Sequence, residues 1–271
     1  MQGMELIRHR RSVRTFDGNP LSGELREKVA ACLAALDNPY GIPIEWKLLS
    51  AKKNGLRSPV IVGADTWLAG KMKQAPHAEE AFGYEMEKLV LYAESLGLGT
   101  TWIAGTMDRG AFERAMELQE GEVMPCVTPL GVPAKRKSLR ETMMRKGVKA
   151  DSRMAFGELF FDGDFSKPMT PEDAGWLAEA LEMVRWAPSA VNKQPWRAVV
   201  KGNLVHFYEK RTRGYVSASG WDLQKIDVGI ALYHFVYGME IQGRKAEIAA
   251  EDPGIPLPED TQYIVSCTVG A

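Results

Sequence analysis

The first half of the chain carries two helical patterns and three short apolar runs. Residues 21–36 predict a helix with Ser22 as its N-cap, and residues 76–96 predict the longest helix, which Gly97 ends. Apolar positions recur on one face of each helix: Leu25, Val29, Leu33 and Leu36 in the first, and Phe82, Met86, Leu89 and Ala93 in the second. Apolar runs bounded by Gly, Pro or charge predict strands at 44–51, 58–64 and 123–133.

The second half repeats this order of elements. A capping box begins the helix predicted for residues 168–186, and its members are Thr170, Pro171 and Asp173. A strand pair with a Gly-Asn turn is predicted at 196–210. A long apolar helix at 223–242 and a final strand at 261–271 follow.

The two halves match element by element, so the sequence predicts an internally duplicated α+β fold. The strand that carries Trp46 corresponds to the one that carries Trp196, and the flanking helices fall in the same order. The resulting division is a first domain at 1–156, a connector at 157–167 and a second domain at 168–271. The alternative, that any two α+β stretches align this loosely, stays open.

Composition restricts the partners without naming one. The 271 residues are 45% hydrophobic and 25% charged with a net charge of −1, so no overall charge favours nucleic acid or an anionic membrane. The opening sequence lacks the apolar core of a signal peptide, and no run of about 18 apolar residues occurs. Scattered Cys and His residues indicate reduced thiols and no metal site. We therefore expect a cytoplasmic protein that binds neither nucleic acid nor membrane.

Two basic clusters are the sharpest charge feature. R-H-R-R-S-V-R at 8–14 surrounds Ser12 with four arginines and a histidine, and A-K-R-K-S-L-R at 134–140 follows a predicted strand. Guanidinium groups suit phosphate oxygens, and a serine hydroxyl adds a donor. Together the clusters are compatible with one phosphate held from two sides, although each alone is also typical of a solvated arm or loop.

G-L-G-T-T-W-I-A-G at 97–105 is a glycine-rich turn. Trp102 occupies the position where a dinucleotide fingerprint needs glycine, and the stretch follows a helix rather than a strand. Its backbone N–H groups could approach a flat ligand, or it is only the end of a helix. No P-loop, zinc or serine-hydrolase motif is evident, a pattern that favours chemistry carried by an organic cofactor.

The loop W-A-P-S-A-V-N-K-Q-P-W at 186–196 completes a set of motifs. With R-R-S-V-R-T-F, the glycine-rich turn, D-V-G-I-A-L and L-G-V-P-A-K, it makes most of the chain resemble the FMN-dependent nitroreductases. The resemblance implies a nitroreductase-like fold, with an antiparallel-rich sheet flanked by helices, and FMN as the cofactor. It also implies NAD(P)H as reductant and a nitroaromatic, quinone or similar small molecule as electron acceptor. No protein side chain is then required as catalyst, because the flavin carries the chemistry.

The resemblance also assigns roles to individual residues. It implies that the FMN phosphate and ribityl chain are held by Arg10, Arg11, Ser12 and Arg14, with Lys135 and Arg136 approaching from the second basic segment. It implies that the isoalloxazine ring is lined by Pro188, Ser189, Ala190, Asn192 and Gln194. Near flavin N5, where a backbone N–H could polarise the hydride-accepting atom, it places Ile103, Ala104 and Gly105.

The order of the motifs departs from the family. There, one half-length unit carries all of them, and two units dimerise to form two FMN sites. Here the phosphate motif lies in the first half and the ring loop in the second, whereas their counterparts, N-P-Y-G-I-P-I-E-W and F-D-G-D-F-S-K, have lost the motif residues. The resemblance therefore implies a pseudo-dimer within one chain, with one FMN site built from both halves, and it leaves further self-association open.

Two alternatives to a nitroreductase-type enzyme remain at this point. One is a non-catalytic FMN-binding carrier or redox sensor, since one site has already been lost in this lineage. The other, within the family, is a specialised flavin chemistry such as reductive dehalogenation or flavin breakdown.

Overall fold

The chain forms two compact units. The computed structural model describes residues 1–135, 142–143, 147, 152–249 and 251–270. The first unit comprises Met1 and Arg8–Ala150, and the second comprises Gln2–Ile7 and Asp151–Ala271. Each unit contains a five-stranded, largely antiparallel sheet together with helices, which confirms the predicted mixed fold.

Helices and strands are interspersed along the described chain. The helices are α1 (Gly3–His9), α2 (Gly23–Ala34), α3 (Ala51–Asn54), α4 (Ala78–Ser95), α5 (Arg109–Ala115), α6 (Phe156–Leu159), α7 (Pro171–Ala174), α8 (Ala178–Trp186) and α9 (Leu223–Ile241). The strands are β1 (Glu45–Ser50), β2 (Thr66–Lys73), β3 (Gly99–Thr100), β4 (Glu122–Val123), β5 (Val127–Gly131), β6 (Phe160–Asp162), β7 (Trp196–Lys201), β8 (Leu204–Lys210), β9 (Ala246–Ala249) and β10 (Thr261–Val269).

The first sheet has the strand order β1-β2-β5-β3, antiparallel throughout, and β4 pairs with β2. Both predicted helices of this unit are confirmed as α2 and α4. The Ser22 hydroxyl accepts a hydrogen bond from the Leu25 N–H at 3.3 Å and caps α2, as predicted. The predicted apolar face of α4 is completely buried; its members are Phe82, Met86, Leu89 and Ala93.

The strand predicted at 58–64 is wrong. Residues 58–61 form a turn, in which the Ile61 N–H donates to the Ser58 carbonyl at 3.2 Å. Val62 makes only an isolated bridge to Thr15. The strand lies further along the chain, at Thr66–Lys73. It contains Lys71, which is buried through ion pairs that a pattern of apolar runs does not predict.

The second sheet has the order β6-β7-β8-β10-β9, in which only β6 runs parallel to its neighbour. The predicted hairpin is confirmed as β7 and β8, and the predicted long helix as α9. The helix predicted at 168–186 begins with the expected capping box at Thr170, but Gly175, with φ of 53°, separates α7 from α8. A short 3₁₀ turn, Gly175–Leu177, joins the two pieces.

The two sheets share one topology. In each unit a helix precedes two antiparallel strands, and a long helix follows. The last strand then inserts beside the second one, so that β5 lies between β2 and β3, and β10 lies between β8 and β9. Thus β1-β2-β5-β3 corresponds to β7-β8-β10-β9, in agreement with the predicted duplication. Residues 157–167, expected to be a connector, contain β6, so this segment contributes an edge strand to the second sheet. The predicted domain bounds themselves stay a prediction.

Candidate functional site

Three sequence motifs meet at one edge of the first sheet. The segment R-R-S-V-R-T-F runs in extended form, and the Val13 N–H donates to the Thr100 carbonyl in the glycine-rich turn at 2.8 Å. On the other side, the Ala134 N–H of L-G-V-P-A-K donates to the Thr15 carbonyl at 3.0 Å. The first basic segment therefore lies beside Ala134, the first residue of the second one, as one phosphate held from two sides requires.

Glycines make this convergence sterically feasible. A Cβ added at Gly99 would lie 2.7 Å from the Cβ of Val13, and one at Gly131 would lie 3.1 Å from Phe16 Cδ1. Gly97, with φ of 75°, follows the end of α4 as predicted. The glycine-rich turn thus ends a helix and also accommodates the basic segment at close range.

Three polar atoms of the residues at this meeting point have no hydrogen-bond partner in the part of the chain that the structure describes. Arg10 and Arg11 are half-buried, and within the described part of the chain the buried Nε atom of each has no hydrogen-bond partner. Thr100, whose backbone forms an isolated bridge with Ser12, has a buried hydroxyl that is likewise unsatisfied there. Because buried polar atoms normally find partners, these donors fit an anionic group such as a phosphate.

The other residues expected at the phosphate are Arg14, Lys135 and Arg136, and they differ in burial and hydrogen bonding. Arg14 is half-buried, and its carbonyl accepts a hydrogen bond from the Val62 N–H at 2.9 Å. Lys135 is exposed and directly follows Ala134. Arg136 lies outside the described residues.

The turn at 103–105 presents only part of its backbone. The Ile103 N–H and carbonyl both bond to Val127 at 2.9 Å, so this amide is already engaged. The Ala104 carbonyl accepts from the Arg109 guanidinium at 2.7 Å. Gly105 is exposed, and an added Cβ there would meet no atom within 4 Å in the described chain. A backbone donor for a ligand would therefore come from Ala104 or Gly105 rather than from Ile103.

The loop at 188–194 is held in a strained conformation. Val191, Asn192 and Gln194 have φ values of 51°, 57° and 50°, in the left-handed region that side chains other than glycine rarely occupy. Each such residue costs on the order of 1–3 kcal/mol, and the cost is greatest for a β-branched side chain. Strain of this kind concentrates at functional sites, which is consistent with a role for this loop.

The polar side chains of the loop bond to their own unit. The Asn192 amide donates to the Ser152 carbonyl at 3.0 Å, and the Gln194 side-chain oxygen accepts from the Met154 N–H at 3.0 Å. The Ser189 hydroxyl accepts from the Gln194 N–H at 2.8 Å. These side chains, expected to line the flavin ring, therefore also fix the loop and the neighbouring segment 152–154.

The two tryptophans that bracket the loop serve different purposes. Trp196 is fully buried in β7 and belongs to the core. Trp186 ends α8, where its Nε1 donates to Glu182 at 2.8 Å and the Arg153 guanidinium lies 4.9 Å from its ring centroid. Both anchor the loop to regular structure.

Asp227 and Arg109 are two anchoring residues that the sequence analysis missed. The fully buried Asp227 carboxylate accepts the Ala190 N–H at 3.1 Å from each oxygen. Burial, with Asp222 and Glu209 nearby, raises the pKa of Asp227 well above its ordinary value. The D-V-G-I-A-L motif already contained this aspartate, since an acidic residue within a long apolar helix is a visible signal. Arg109 had no comparable signal.

The described ranges contain neither a metal-binding cluster nor a membrane-spanning helix. No group of three or more His, Cys, Asp or Glu residues there could hold a metal ion. Within the same ranges, no helix combines the length and apolarity needed to cross a membrane.

Comparison with known proteins gives the chain its family. The family model described as "Putative TM nitroreductase" matches residues 3–239. A crystal structure of a "putative nitroreductase" from Thermotoga maritima MSB8 superposes with a TM-score of 0.65 at 20% identity, covering 99% of this chain and 94% of that chain.

Two further solved structures align with about half of the chain. A nitroreductase family protein from Clostridium difficile 630 has a TM-score of 0.44 at 16% identity, covering 54% of this chain and 92% of that one. An FMN-dependent nitroreductase from Clostridium difficile R20291 has a TM-score of 0.42 at 15% identity, covering 52% and 94%. No curated protein sequence matches. Because the family model spans most of its length, this chain belongs to the nitroreductase family of that description, a family of oxidoreductases.

Proposed function

We propose that this protein is an FMN-dependent oxidoreductase that takes electrons from NAD(P)H and passes them to a nitroaromatic, quinone or similar small acceptor. Family membership supports the oxidoreductase class. The choice of FMN, of reductant and of acceptor rests on the motifs and on the chemistry of the residues that carry them.

One observation carries the proposal. Among the described residues, the Nε atoms of Arg10 and Arg11 and the hydroxyl of Thr100 have no hydrogen-bond partner, and all three residues belong to motifs that converge in the first unit. Guanidinium and hydroxyl donors match the oxygens of a phosphate monoester, and forked hydrogen bonds to phosphate are shorter and stronger than neutral ones. Arg10, Arg11, Ser12 and Arg14, with Lys135 from the adjoining segment, would hold the FMN phosphate and ribityl chain.

The ring half of the site is assigned by the resemblance alone. Residues 188–190, with Asn192 and Gln194, would pack against the isoalloxazine, and the strained backbone of this loop supports a role that goes beyond linking α8 to β7. The matching sheet topologies support a duplicated chain, and only its first half carries the R-R-S-x-R arginines. We accordingly propose one FMN per chain.

The division of labour in the proposed reaction is simple. Bound FMN would supply the hydride and electron chemistry, because its ring is the redox-active group. The chain's own residues would bind the phosphate, restrict the ring to one position and present a backbone N–H from Ala104 or Gly105 to its reactive edge.

Flavin binding is the first test of this proposal. FMN titrated into the protein, followed by fluorescence, should saturate at one per chain. Arg11→Ala should raise the dissociation constant for FMN roughly 10- to 150-fold, because a charged hydrogen bond contributes about 1.5–3 kcal/mol. Arg114→Ala, which removes an exposed arginine of α5, should leave it unchanged. Failure of the wild-type protein to bind FMN would contradict the proposal, and a stoichiometry of two would contradict the single site.

Turnover is the second test. NADH or NADPH should bleach the bound flavin under anaerobic conditions, and a nitroaromatic or quinone should restore its colour. A protein that binds FMN but is bleached by neither nucleotide would instead be a flavin carrier or sensor.

A further inference from the structure

Arg109 clamps the backbone of the glycine-rich turn to a second segment. Its guanidinium donates to three carbonyl oxygens: Ala104 at 2.7 Å, Met124 at 2.7 Å and Pro125 at 3.2 Å. Because the guanidinium fork is planar and rigid, these bonds fix the turn relative to the chain that leads into β5. The clamp is anchored in turn at the start of α5, where the Asp108 carboxylate caps the helix by accepting the Ala111 N–H.

The clamp also sets the direction of one N–H group. In a trans peptide the carbonyl and the following N–H point in opposite directions. Since the Ala104 carbonyl points to Arg109, the Gly105 N–H points away from it. On the other side of the turn, the paired hydrogen bonds between Ile103 and Val127 hold the preceding peptides.

The space around Gly105 is open. Gly105 is exposed, and a Cβ added to it would meet no heavy atom of the described chain within 4 Å. The carbonyl of the Ala104–Gly105 peptide is thus satisfied by Arg109, while its N–H belongs to an exposed residue that a flat ligand could approach. This pairing of a fixed carbonyl with an open donor is typical of preorganised hydrogen-bond donors.

We propose that Arg109 is a positioning residue that aims the Gly105 N–H at the reactive edge of the flavin, an inference that rests on the proposed FMN site. A fixed donor at this edge stabilises the electron-rich reduced ring more than the oxidised ring. Arg109 therefore raises the reduction potential of the bound flavin without contacting it. The Arg109 guanidinium also lies 4.0 Å from the Glu113 carboxylate, one turn further along α5, and forms an ion pair with it.

The experiment compares Arg109→Met and Arg109→Lys with Arg114→Met as the matched control on α5. For each FMN-bound variant, the midpoint potential is measured by spectroelectrochemical titration, the FMN dissociation constant by fluorescence, and the unfolding temperature by circular dichroism. Arg109→Met should lower the equilibrium constant for flavin reduction by up to about tenfold, equivalent to about 30 mV for a two-electron couple. Its FMN affinity should stay within about threefold of the wild type, since the phosphate contacts are intact.

Arg109→Lys separates positioning from charge. Lysine keeps the charge but reaches fewer carbonyls at once, so its potential should fall between those of the wild type and Arg109→Met. Should Arg109→Met fail to fold, Arg109→Lys against the wild type carries the test. If Arg109→Met folds, binds FMN and has the same midpoint potential as Arg114→Met, the role of Arg109 is overturned but the proposed function is not. A wild-type protein that binds no FMN would overturn the proposed function as well.

Discussion

Replacing Val191 by glycine should stabilise the protein. Val191 is a β-branched residue with φ of 51°, and its side chain is 60% exposed, so little packing is lost when it is removed. The left-handed conformation costs an L-residue about 1–2 kcal/mol, and glycine relieves this cost. Against this, glycine adds conformational freedom to the unfolded chain that is worth about 0.5–1 kcal/mol. The net expectation is a gain of about 1 kcal/mol, or roughly 2–4 °C in the unfolding temperature.

Val216→Gly is the matched control for this prediction. Val216 lies in the same unit and is 62% exposed, but it is not among the described residues with positive φ. Its replacement should therefore only lose stability, by about 0.5–1 kcal/mol. Urea or thermal unfolding followed by circular dichroism measures both variants. If the unfolding midpoint of Val191→Gly is no higher than that of Val216→Gly, the strain assigned to the loop is not real.

The same variant tests why the strain is kept. A loop with glycine at position 191 is less restricted, so ordering it against a ligand costs more. FMN affinity should therefore fall while stability rises. A variant that gained both stability and affinity would argue against preorganisation of this loop.

Two further predictions concern Asp227 and Gly99. Because the pKa of Asp227 is raised, the folded state keeps a proton that the unfolded chain releases above about pH 4, so this residue makes stability fall as pH rises. Asp227→Asn should remove that slope, and urea midpoints that diverge from the wild type between pH 5 and pH 8 would show it, whereas parallel curves would refute it. Gly99→Ala places a Cβ 2.7 Å from Val13 and should cost about 1–3 kcal/mol and weaken FMN binding. Gly23→Ala, with open space around it, should be neutral in both assays, and equal behaviour of the two alanine variants would contradict the close approach.

The sequence was most informative where a pattern was long. The helix with Phe82 and Met86 on one face and the capping box at Thr170 were predictable because periodicity and capping are local properties. The strand at Thr66–Lys73 was not, because the burial of its Lys71 depends on ion pairs with Glu45 and Glu122, which are contributed by other strands.

The candidate site divides in the same way. The motifs named the residues expected at the phosphate, but not that backbone pairing brings Thr100 and Ala134 to either side of residues 13–15. Arg109 acts through carbonyls, which carry no sequence signature, so no motif could reveal it. The left-handed conformation of Val191 contradicts its side-chain preference and was equally hidden.

The placement of the N-terminal residues has a consequence for how the protein is made. Gln2–Ile7 belong to the second unit, where the Gly3 N–H donates to the Tyr237 hydroxyl, 234 positions along the chain. These residues therefore leave the ribosome before the first unit, but their partner follows only after it. The first unit can fold during synthesis, whereas the buried Leu6 and Ile7 stay exposed until α9 is complete. Removing residues 2–7 would accordingly weaken the second unit, although most of that unit is synthesised after the first.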